Sequence, residues 1–168
     1  MFFLFFDLDD TILNLTKKER NDLNRDTKFY VTKKDINIAY KNINNRPKLK
    51  NLLNCIKNPK YILTNANNLH ATLSLKNMNL YDNFNKIIDR DLMKCLKPNI
   101  QAYKVAMDLV GIKNPQKCFL FDDQIPNLLT AKLIGWTTIY IGKSNHNNIN
   151  IDFSFNNIYE ALLFFLDI

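Results

Sequence analysis

Apolar residues in this chain gather in short continuous runs that are separated by more polar stretches. The first run covers residues 2–8, and later runs occupy residues 61–63, 87–88, 118–121 and 137–141. A short continuous apolar run is typical of a strand that is buried on both faces, as in a parallel sheet. The pattern therefore predicts about five buried strands.

Between these runs, apolar positions recur at helical spacing. Helices are predicted at four places, near residues 67–77, 99–110, 126–134 and 157–166. Gly111 and Gly135 stand where a glycine commonly ends a helix. The alternation of strands and helices from residue 60 onward predicts an α/β fold with a Rossmann-like parallel sheet that is flanked by helices.

Residues 12–60 break this alternation, because they carry helix-period apolar positions without a convincing strand. These positions form two groups, Ile36, Ala39 and Ile43, then Leu49, Leu52, Leu53 and Ile56. Thr32 and Asp35 have the spacing of a capping box at the start of the first group. We predict a small helical cap of residues 16–57, inserted after the first strand into a core domain of residues 1–15 and 58–168.

The size and charge of the chain narrow the function. A length of 168 residues with 46% hydrophobic content is typical of one domain with a sizeable core. The net charge of +7 favours anionic partners such as phosphate esters. The basic residues are mostly scattered lysines without arginine clusters or interleaved aromatics, a pattern that argues against a nucleic-acid partner.

The cysteines and the apolar start of the chain bear on its location. Cys55, Cys95 and Cys118 are widely spaced and odd in number, which favours neither a disulfide framework nor a thiolate metal site. The opening apolar run is broken by Asp7 and has neither a basic leader nor a small-residue cleavage site. Since the other apolar stretches are too short to cross a bilayer, we expect a soluble cytoplasmic protein without a membrane partner.

Polar side chains follow several of the predicted strands. They are Asp7, Asp9 and Thr11 after the first, Thr64 and Asn65 after the second, Lys97 before a later helix, and Asp122 and Asp123 after the fourth. Ligands of open parallel sheets bind beyond the carboxyl ends of the strands. We therefore expect these groups to meet at one rim.

Carboxylates at one rim repel each other, and a dication is the simplest way to hold them together. All-oxygen ligands favour Mg²⁺ over softer metals. An EF-hand does not fit, because Ile12 stands where that loop needs glycine. A magnesium site suits phosphoryl transfer, in which an aspartate can act as the nucleophile. Asp9, close to another carboxylate, is a candidate acid with a raised pKa that protonates the leaving oxygen.

The segments "DLDDT", "LTNA", "LKP" and "FDDQIPN" resemble, in this order, the four motifs of the haloacid dehalogenase-like (HAD) hydrolase superfamily. Residues 61–142 look most similar to its pyrimidine 5′-nucleotidase-like branch. The resemblance implies that Asp7 is the nucleophile and a metal ligand. It also implies that Asp9 is the general acid/base and gives its backbone carbonyl to Mg²⁺.

The same resemblance assigns the other motif residues. Thr64 and the backbone of Asn65 would bind phosphoryl oxygens, and Lys97 would steady the nucleophile and the phosphate. Asp122 would hold the metal with support from Asp123. His70 also resembles a histidine of this branch, and we expect it to be a helix-surface or packing residue.

Asp9 favours a phosphatase over a dehalogenase, since a halide leaves without a proton. The leading hypothesis is a Mg²⁺-dependent phosphatase of small phosphate monoesters that forms an aspartyl-phosphate, with nucleoside 5′-monophosphates as the first candidates. The alternatives are a phosphatase acting on a phosphoprotein or a nucleic-acid end, a phosphomutase, and a phosphate-binding regulatory protein without turnover.

Two features depart from the resemblance. The predicted cap is short for the nucleotidase branch, although it offers side chains that could contact a base or sugar, namely Phe29, Tyr30, Tyr40 and Arg46. Gln124 and Pro126 are unusual in the last motif, where a small hydroxyl residue and no proline would be expected. Proline is tolerated at the start of a helix, so the metal role of Asp122 is kept.

Overall fold

The structure, a computed structural model, describes residues 1–29, 39–143 and 150–166, with the backbone alone for residues 25–29. The strands are β1 (Phe3–Phe6), β2 (Lys60–Leu63), β3 (Lys86–Ile88), β4 (Cys118–Asp122), β5 (Thr137–Ile141) and β6 (Phe153–Phe155). They form one sheet in the order β3-β2-β1-β4-β5-β6, and every neighbouring pair is parallel. The predicted Rossmann-like parallel sheet is confirmed, with one more strand than expected at the β6 edge.

The α-helices with described bounds are α1 (Lys17–Phe29), α2 (Pro47–Cys55), α3 (Asn68–Asn77), α4 (Arg90–Met93), α5 (Ile100–Leu109), α6 (Ile125–Leu133) and α7 (Ile158–Leu166). The four predicted helices after residue 60 correspond to α3, α5, α6 and α7, with bounds within one residue of those expected. Gly111 and Gly135 follow α5 and α6 with positive φ angles of 71° and 92°. Glycine adopts this conformation without a Cβ penalty, which explains its place at these helix ends.

Alternate residues of β1 belong to different hydrophobic clusters, because successive side chains point to opposite faces of a sheet. Leu4 and Phe6 join a cluster that contains buried residues of α2, α3 and α7. Phe5 joins a second cluster with buried residues of α5 and α6, and its ring lies 4.6 Å from that of Trp136. Helices therefore cover both faces, as the continuous apolar strands predicted.

The segment between β1 and β2 contains α1 and α2. Leu49 and Leu53 of α2 are buried in the same cluster as Leu4 and Phe6, so α2 packs on the sheet. The suggested capping box at Thr32 and Asp35 lies outside the described residues. The division into a cap of residues 16–57 and a core of residues 1–15 and 58–168 stays a prediction. Among the helices that the structure describes, none has the length and apolar character needed to cross a membrane.

Helix α1 was not predicted, because its sequence has little apolar periodicity. The sequence does carry a capping box that begins at Thr16, the residue before α1. The Thr16 amide donates to Glu19 Oε2 at 2.8 Å, and the Glu19 amide donates to Thr16 Oγ1 at 3.2 Å. Glu19 Oε1 also accepts hydrogen bonds from the backbone and side-chain amides of Asn44, both at 3.0 Å. Arg46 Nη2 pairs with both carboxylate oxygens, at 2.9 and 3.1 Å. Glu19 therefore joins the start of α1 to the segment that leads into α2.

Glu19 is buried, and burial alone would raise the pKa of its carboxyl group. The hydrogen bonds from Asn44, Thr16 and Arg46 outweigh that effect and lower the pKa to about 2, from an ordinary value of 4.5. Because the folded pKa is depressed, the ionised carboxylate stabilises the fold fully above pH 4.5. This contribution declines as the pH falls from 4.5 towards 2.

We expect Glu19→Gln to lower the free energy of unfolding by roughly 1–3 kcal/mol at pH 7, since it removes a charged acceptor and leaves Arg46 without its ionic partner. Urea unfolding at pH 7 and pH 3 would measure the loss, and the difference from wild type should shrink at pH 3. Glu160→Gln is the matched control, because Glu160 is an exposed first-turn glutamate of α7 that accepts hydrogen bonds from Asn156 and Asn157. If Glu160→Gln lowered the free energy of unfolding as much as Glu19→Gln, the stabilising role of the Glu19 contacts would be contradicted.

Candidate active site

Three neighbouring strands end at the same edge of the sheet and deliver polar side chains there. β1 leads into Asp7, whose amide donates to the Phe121 carbonyl at 2.8 Å. β2 leads into Thr64, whose amide donates to the Ile88 carbonyl at 3.0 Å. Asp122 is the last residue of β4. Because the sheet order is β2-β1-β4 in this region, residues far apart in sequence become neighbours at this edge.

Lys97 lies between two of these carboxylates. Its Nζ is 2.8 Å from Asp7 Oδ1 and 2.7 Å from Asp122 Oδ2, and its side chain is fully buried. Burial alone would lower the pKa of Lys97, but Asp122 and Asp7 outweigh burial and raise it. The ammonium group therefore stays charged and compensates the repulsion between two buried carboxylates.

Asp122 accepts hydrogen bonds on both oxygens in addition to the ion pair with Lys97. Oδ1 accepts from the Gln124 amide at 2.8 Å, and Asn127 Nδ2 lies 3.0 Å from both Oδ1 and Oδ2. The buried Tyr103 hydroxyl donates to the Asn127 carbonyl at 2.8 Å. Since the contact from Gln124 uses its backbone, this position does not need a small hydroxyl side chain. Pro126 lies in the first turn of α6, where a missing amide hydrogen is harmless.

A tight turn follows β1 and carries the second aspartate of the first motif. The Leu13 amide donates to the Leu8 carbonyl at 2.7 Å, and the Asp10 amide donates to the Leu13 carbonyl at 3.1 Å. Asp10 has a φ of 60°, a left-handed conformation that aspartate tolerates better than most residues. Its carboxylate pairs with Arg20 of α1. This turn places Asp9 at the rim of the site.

The Asp9 side chain contacts a histidine from another element. Asp9 Oδ1 lies 2.9 Å from His70 Nε2, and His70 Nδ1 lies 2.6 Å from the Tyr40 hydroxyl. Burial, together with the nearby Asp9 carboxylate, raises the pKa of Tyr40 to about 12. The phenol is therefore protonated at neutral pH. His70 is more than the packing residue that the sequence suggested, because it hydrogen-bonds a motif carboxylate.

Asn65 and Thr64 make local contacts beside the carboxylates. The Asn65 side chain donates to the Lys97 carbonyl at 2.9 Å and accepts from the Lys97 amide at 2.8 Å. Thr64 is buried, and its Oγ1 accepts from the Ala66 amide at 3.1 Å. The side chain of Asn65 thus fixes the backbone of Lys97, a role that the sequence did not indicate.

A polar cavity of about 180 Å³ opens at this edge of the sheet. Its lining includes Asp7, Asp9, Thr64, Asn65 and Asp123 among the predicted site residues. Lys97 and Asp122 lie directly behind this lining, since Lys97 pairs with Asp7, and Asp122 pairs with Lys97 and accepts from the lining residues Gln124 and Asn127. Larger cavities lie elsewhere on the molecule, but their linings contain none of these side chains. The structure therefore brings seven of the eight residues expected at the rim to one place, whereas Thr11 is buried and does not line the cavity.

The sequence model of the haloacid dehalogenase-like hydrolases matches residues 14–135 of the chain. The chain belongs to the HAD-like hydrolase family. It is therefore an enzyme of the hydrolase class. The match covers the second and third motifs and the Asp122 motif, while Asp7 and Asp9 precede it.

Solved structures of HAD proteins have the same fold. A HAD-hydrolase of Bacillus subtilis bound to magnesium is 14% identical, with a TM-score of 0.71 and 98% of each chain covered. A HAD phosphatase from Thermococcus onnurineus is 17% identical, with a TM-score of 0.66 and 98% of each chain covered. The L-2-haloacid dehalogenase of Xanthobacter autotrophicus with chloropropionic acid covalently bound is 10% identical, with a TM-score of 0.69, 96% of this chain covered and 97% of its own. Identities this low establish the fold alone.

The carboxylates of this HAD protein form a donor set that suits a hard cation. Ligand atoms of Asp7, Asp122 and Asp123 lie within 4.8 Å of one another. Among the described residues, the ammonium group of Lys97 is the one cation paired with these three carboxylates, so this part of the site has an excess of negative charge. Carboxylate oxygens are the donors that Mg²⁺ prefers, and the residues present therefore fit that ion. Asp9 does not belong to this set of carboxylates, and the metal role expected of it concerns its backbone carbonyl.

The pKa of the Asp7 carboxyl group is shifted from its ordinary value. Burial raises the pKa of its carboxyl group to about 7, although Lys97 acts to lower the pKa, and the Asp122 carboxylate adds to the rise. Burial also raises the pKa of Asp123. A carboxylate in a cleft with a specific charged partner and a shifted pKa is typical of functional sites.

Sequence reasoning missed the supporting side chains of the site. Asn127 bonds Asp122, and Tyr103 bonds the carbonyl of Asn127. Asn127 is the last residue of the segment FDDQIPN, but that resemblance assigns it no role, and Tyr103 lies in none of the four motifs. The position of Asn127 five residues after Asp122, in the first turn of the next helix, was the available signal. The contact of His70 with Asp9 joins residues 61 positions apart, and spacing could not reveal it.

The structure does not support a substrate contact for two of the side chains that were expected to contact a base or sugar. Tyr40 is buried and bonds His70, and Arg46 pairs with Glu19, so these two serve internal contacts. The Phe29 side chain and Tyr30 lie outside the described part of the chain.

If the carboxylate cluster binds Mg²⁺, saturating MgCl₂ should raise the melting temperature of the wild-type protein by on the order of 5 °C. Differential scanning fluorimetry would measure the shift. Asp122→Asn should remove most of it, because that substitution takes away a charged ligand. Asp108→Asn, which changes an exposed acid on α5, should leave it intact. A shift that persists in Asp122→Asn would place the cation elsewhere.

Proposed function

We propose that this HAD hydrolase is a Mg²⁺-dependent phosphatase of small phosphate monoesters, with nucleoside 5′-monophosphates as the first candidate substrates. One observation carries the proposal. Two carboxylates, Asp7 and Asp9, line the same small polar cavity, and Asp7 is paired with the buried Lys97. This is the arrangement that phosphoryl transfer through a carboxylate needs: a nucleophile, a nearby proton carrier and a fixed positive charge.

In the proposed reaction, a carboxylate oxygen of Asp7 attacks phosphorus as the bond to the ester oxygen breaks. Asp9, in its protonated form, gives its proton to the departing oxygen. Asp9 then takes a proton from water, which attacks the aspartyl-phosphate and releases inorganic phosphate, so that Asp7 is regenerated. Through the reaction Lys97 holds Asp7 and stabilises the negative charge that is transferred.

The metal role follows from the same side chains. Asp7 and Asp122, with the backbone carbonyl of Asp9 and support from Asp123, would hold Mg²⁺. When bound, the ion supplies positive charge that neutralises phosphoryl oxygens and favours ionised Asp7. The magnesium-bound HAD-hydrolase of Bacillus subtilis supports this proposal.

Asp9 favours a phosphatase over a haloacid dehalogenase, although several structural neighbours are named as dehalogenases. An alkoxide leaving group needs a proton, whereas a halide leaves as a stable anion. A carboxylate that lines the cavity two residues after the nucleophile supplies that proton. The HAD phosphatase among the neighbours is consistent with this choice.

The cavity limits what the site itself can recognise. A volume of about 180 Å³ is below the roughly 300–1,000 Å³ of pockets that enclose a drug-sized ligand. It has room for a phosphoryl group and the nearest atoms of the ester. The remainder of the substrate would extend beyond it, so a substrate panel is the direct way to identify the leaving group.

We expect wild-type protein with MgCl₂ to release phosphate from at least one small monoester in a malachite-green panel that includes nucleoside 5′-monophosphates and sugar phosphates. Asp7→Asn should lower the rate by about 10³-fold or more, because the amide is not a nucleophile. Its melting temperature should show that the fold is retained. Substantial activity in Asp7→Asn would overturn the nucleophile assignment.

Further arms of the panel separate the alternatives. Turnover of a phosphopeptide or a 5′-phosphorylated oligonucleotide, without turnover of free monoesters, would identify a macromolecular substrate. Transfer of phosphate to a second position of a sugar phosphate would identify a phosphomutase. Binding of inorganic phosphate, with no phosphate released from any ester of the panel, would identify a phosphate-binding regulatory protein.

A further inference from the structure

His70 contacts the Asp9 carboxylate from a rigid position. It lies in the first turn of α3, where its backbone amide donates to the side chain of the N-cap residue Asn67 at 2.8 Å. Its ring packs edge-to-face against Tyr40 with the centroids 5.6 Å apart. The side chain is 22% exposed, whereas the Asp9 side chain is 51% exposed. His70 is therefore the better fixed partner of the pair.

The contact with Asp9 selects the tautomer of a neutral His70. A carboxylate oxygen only accepts, so Nε2 carries the hydrogen and donates to Asp9 Oδ1 over 2.9 Å. In that tautomer Nδ1 only accepts, so the Tyr40 hydroxyl donates to it over 2.6 Å. Tyr40, His70 and Asp9 thus form one directed chain of hydrogen bonds.

We propose that His70, held by Tyr40, is the positioning residue for Asp9. An exposed aspartate has several rotamers of similar energy, and a bond to Oδ1 selects one of them. A carboxyl group accepts at Oδ1 whether or not Oδ2 carries a proton, so the contact survives both stages of the acid/base cycle. Oδ2 remains available for the leaving oxygen and later for water. Since Asp9 is the acid/base only in the proposed phosphatase, the role of His70 rests on that function.

The leaving group provides the test. We expect His70→Ala to lower the single-turnover rate of leaving-group release from an alkyl monoester of the panel by about 10- to 100-fold. Without His70, Asp9 is misplaced and protonates the leaving oxygen less effectively. Release of p-nitrophenol from p-nitrophenyl phosphate should fall by less than about threefold, since this leaving group needs little protonation. KM should change by less than about twofold, because His70 acts on Asp9 and not on the substrate.

Three companion variants sharpen the result. His70→Gln offers an amide donor near the position of Nε2 and should recover much of the alkyl rate. Tyr40→Phe removes the donor to Nδ1 and should produce a smaller loss in the same direction, which keeps the test available if His70→Ala does not fold. Thr72→Ala, on the same helix, removes only a surface hydrogen bond to Asn68 and should leave both rates unchanged.

A double-mutant cycle distinguishes positioning from a general structural effect. In an Asp9→Asn background, His70→Ala should cause little additional loss on the alkyl ester, because its effect passes through Asp9. Equal losses on the alkyl and aryl esters, a repeated loss in the Asp9→Asn background, or no loss at all would overturn the role of His70.

Failure of the proposed function has a separate signature. A wild-type protein that hydrolyses neither ester would overturn the phosphatase and the role of His70 together. A wild-type protein that hydrolyses only the aryl ester would remove the need for an acid and overturn the role of Asp9 as well as that of His70. Turnover of both esters with a uniform effect of His70→Ala would overturn the His70 role alone.

Discussion

The site depends on one buried ammonium group between two carboxylates. Asp7 and Asp122 come from neighbouring strands and would repel each other without Lys97, which lies 2.8 and 2.7 Å from their oxygens. Removing one partner of such a buried ion network leaves an uncompensated charge, which is costly. With Asp123 included, the carboxylates still exceed the ammonium groups. The residual negative charge is the physical reason that this edge of the sheet suits a cation, and it adds to the rise that burial causes in the pKa of Asp7.

Much of the fold could be predicted because buried parallel strands have a strong sequence pattern. Continuous apolar runs gave five strands, and glycines at two helix ends helped to place the helices between them. β6 was not predicted, because Phe153–Phe155 is a three-residue edge strand in which a serine interrupts the apolar run. Helix α1 was not predicted, because its sequence is largely polar. Its start is stabilised by polar contacts of Glu19, and a search for apolar periodicity does not detect such contacts.

The site divides in a similar way. Asp7, Thr64 and Asp122 were predictable, since the carboxyl ends of parallel strands meet at one edge. Lys97 was expected at the rim because it precedes a later helix, and its role came from the resemblance to a motif. The contacts of Tyr103 and His70 were not predictable, because they depend on how helices pack over that edge, whereas the short spacing between Asp122 and Asn127 was a usable signal. Gln124 illustrates the converse. Its side chain departs from the expected motif, but its backbone supplies the hydrogen bond to Asp122, so the departure has no consequence for that contact.

The segment between β1 and β2 is linked to the chemistry through Tyr40, the partner of His70. Since Tyr40 and Arg46 are occupied by internal contacts, neither is open to a substrate in this arrangement. The open cavity is lined in part by side chains that the proposed phosphoryl chemistry uses, and its volume of about 180 Å³ leaves little room beyond a phosphoryl group. Discrimination between leaving groups therefore requires contacts outside this cavity. It follows that, in the proposed phosphatase, reaction type and substrate choice depend on different parts of the chain, and that the first can be argued from the site alone.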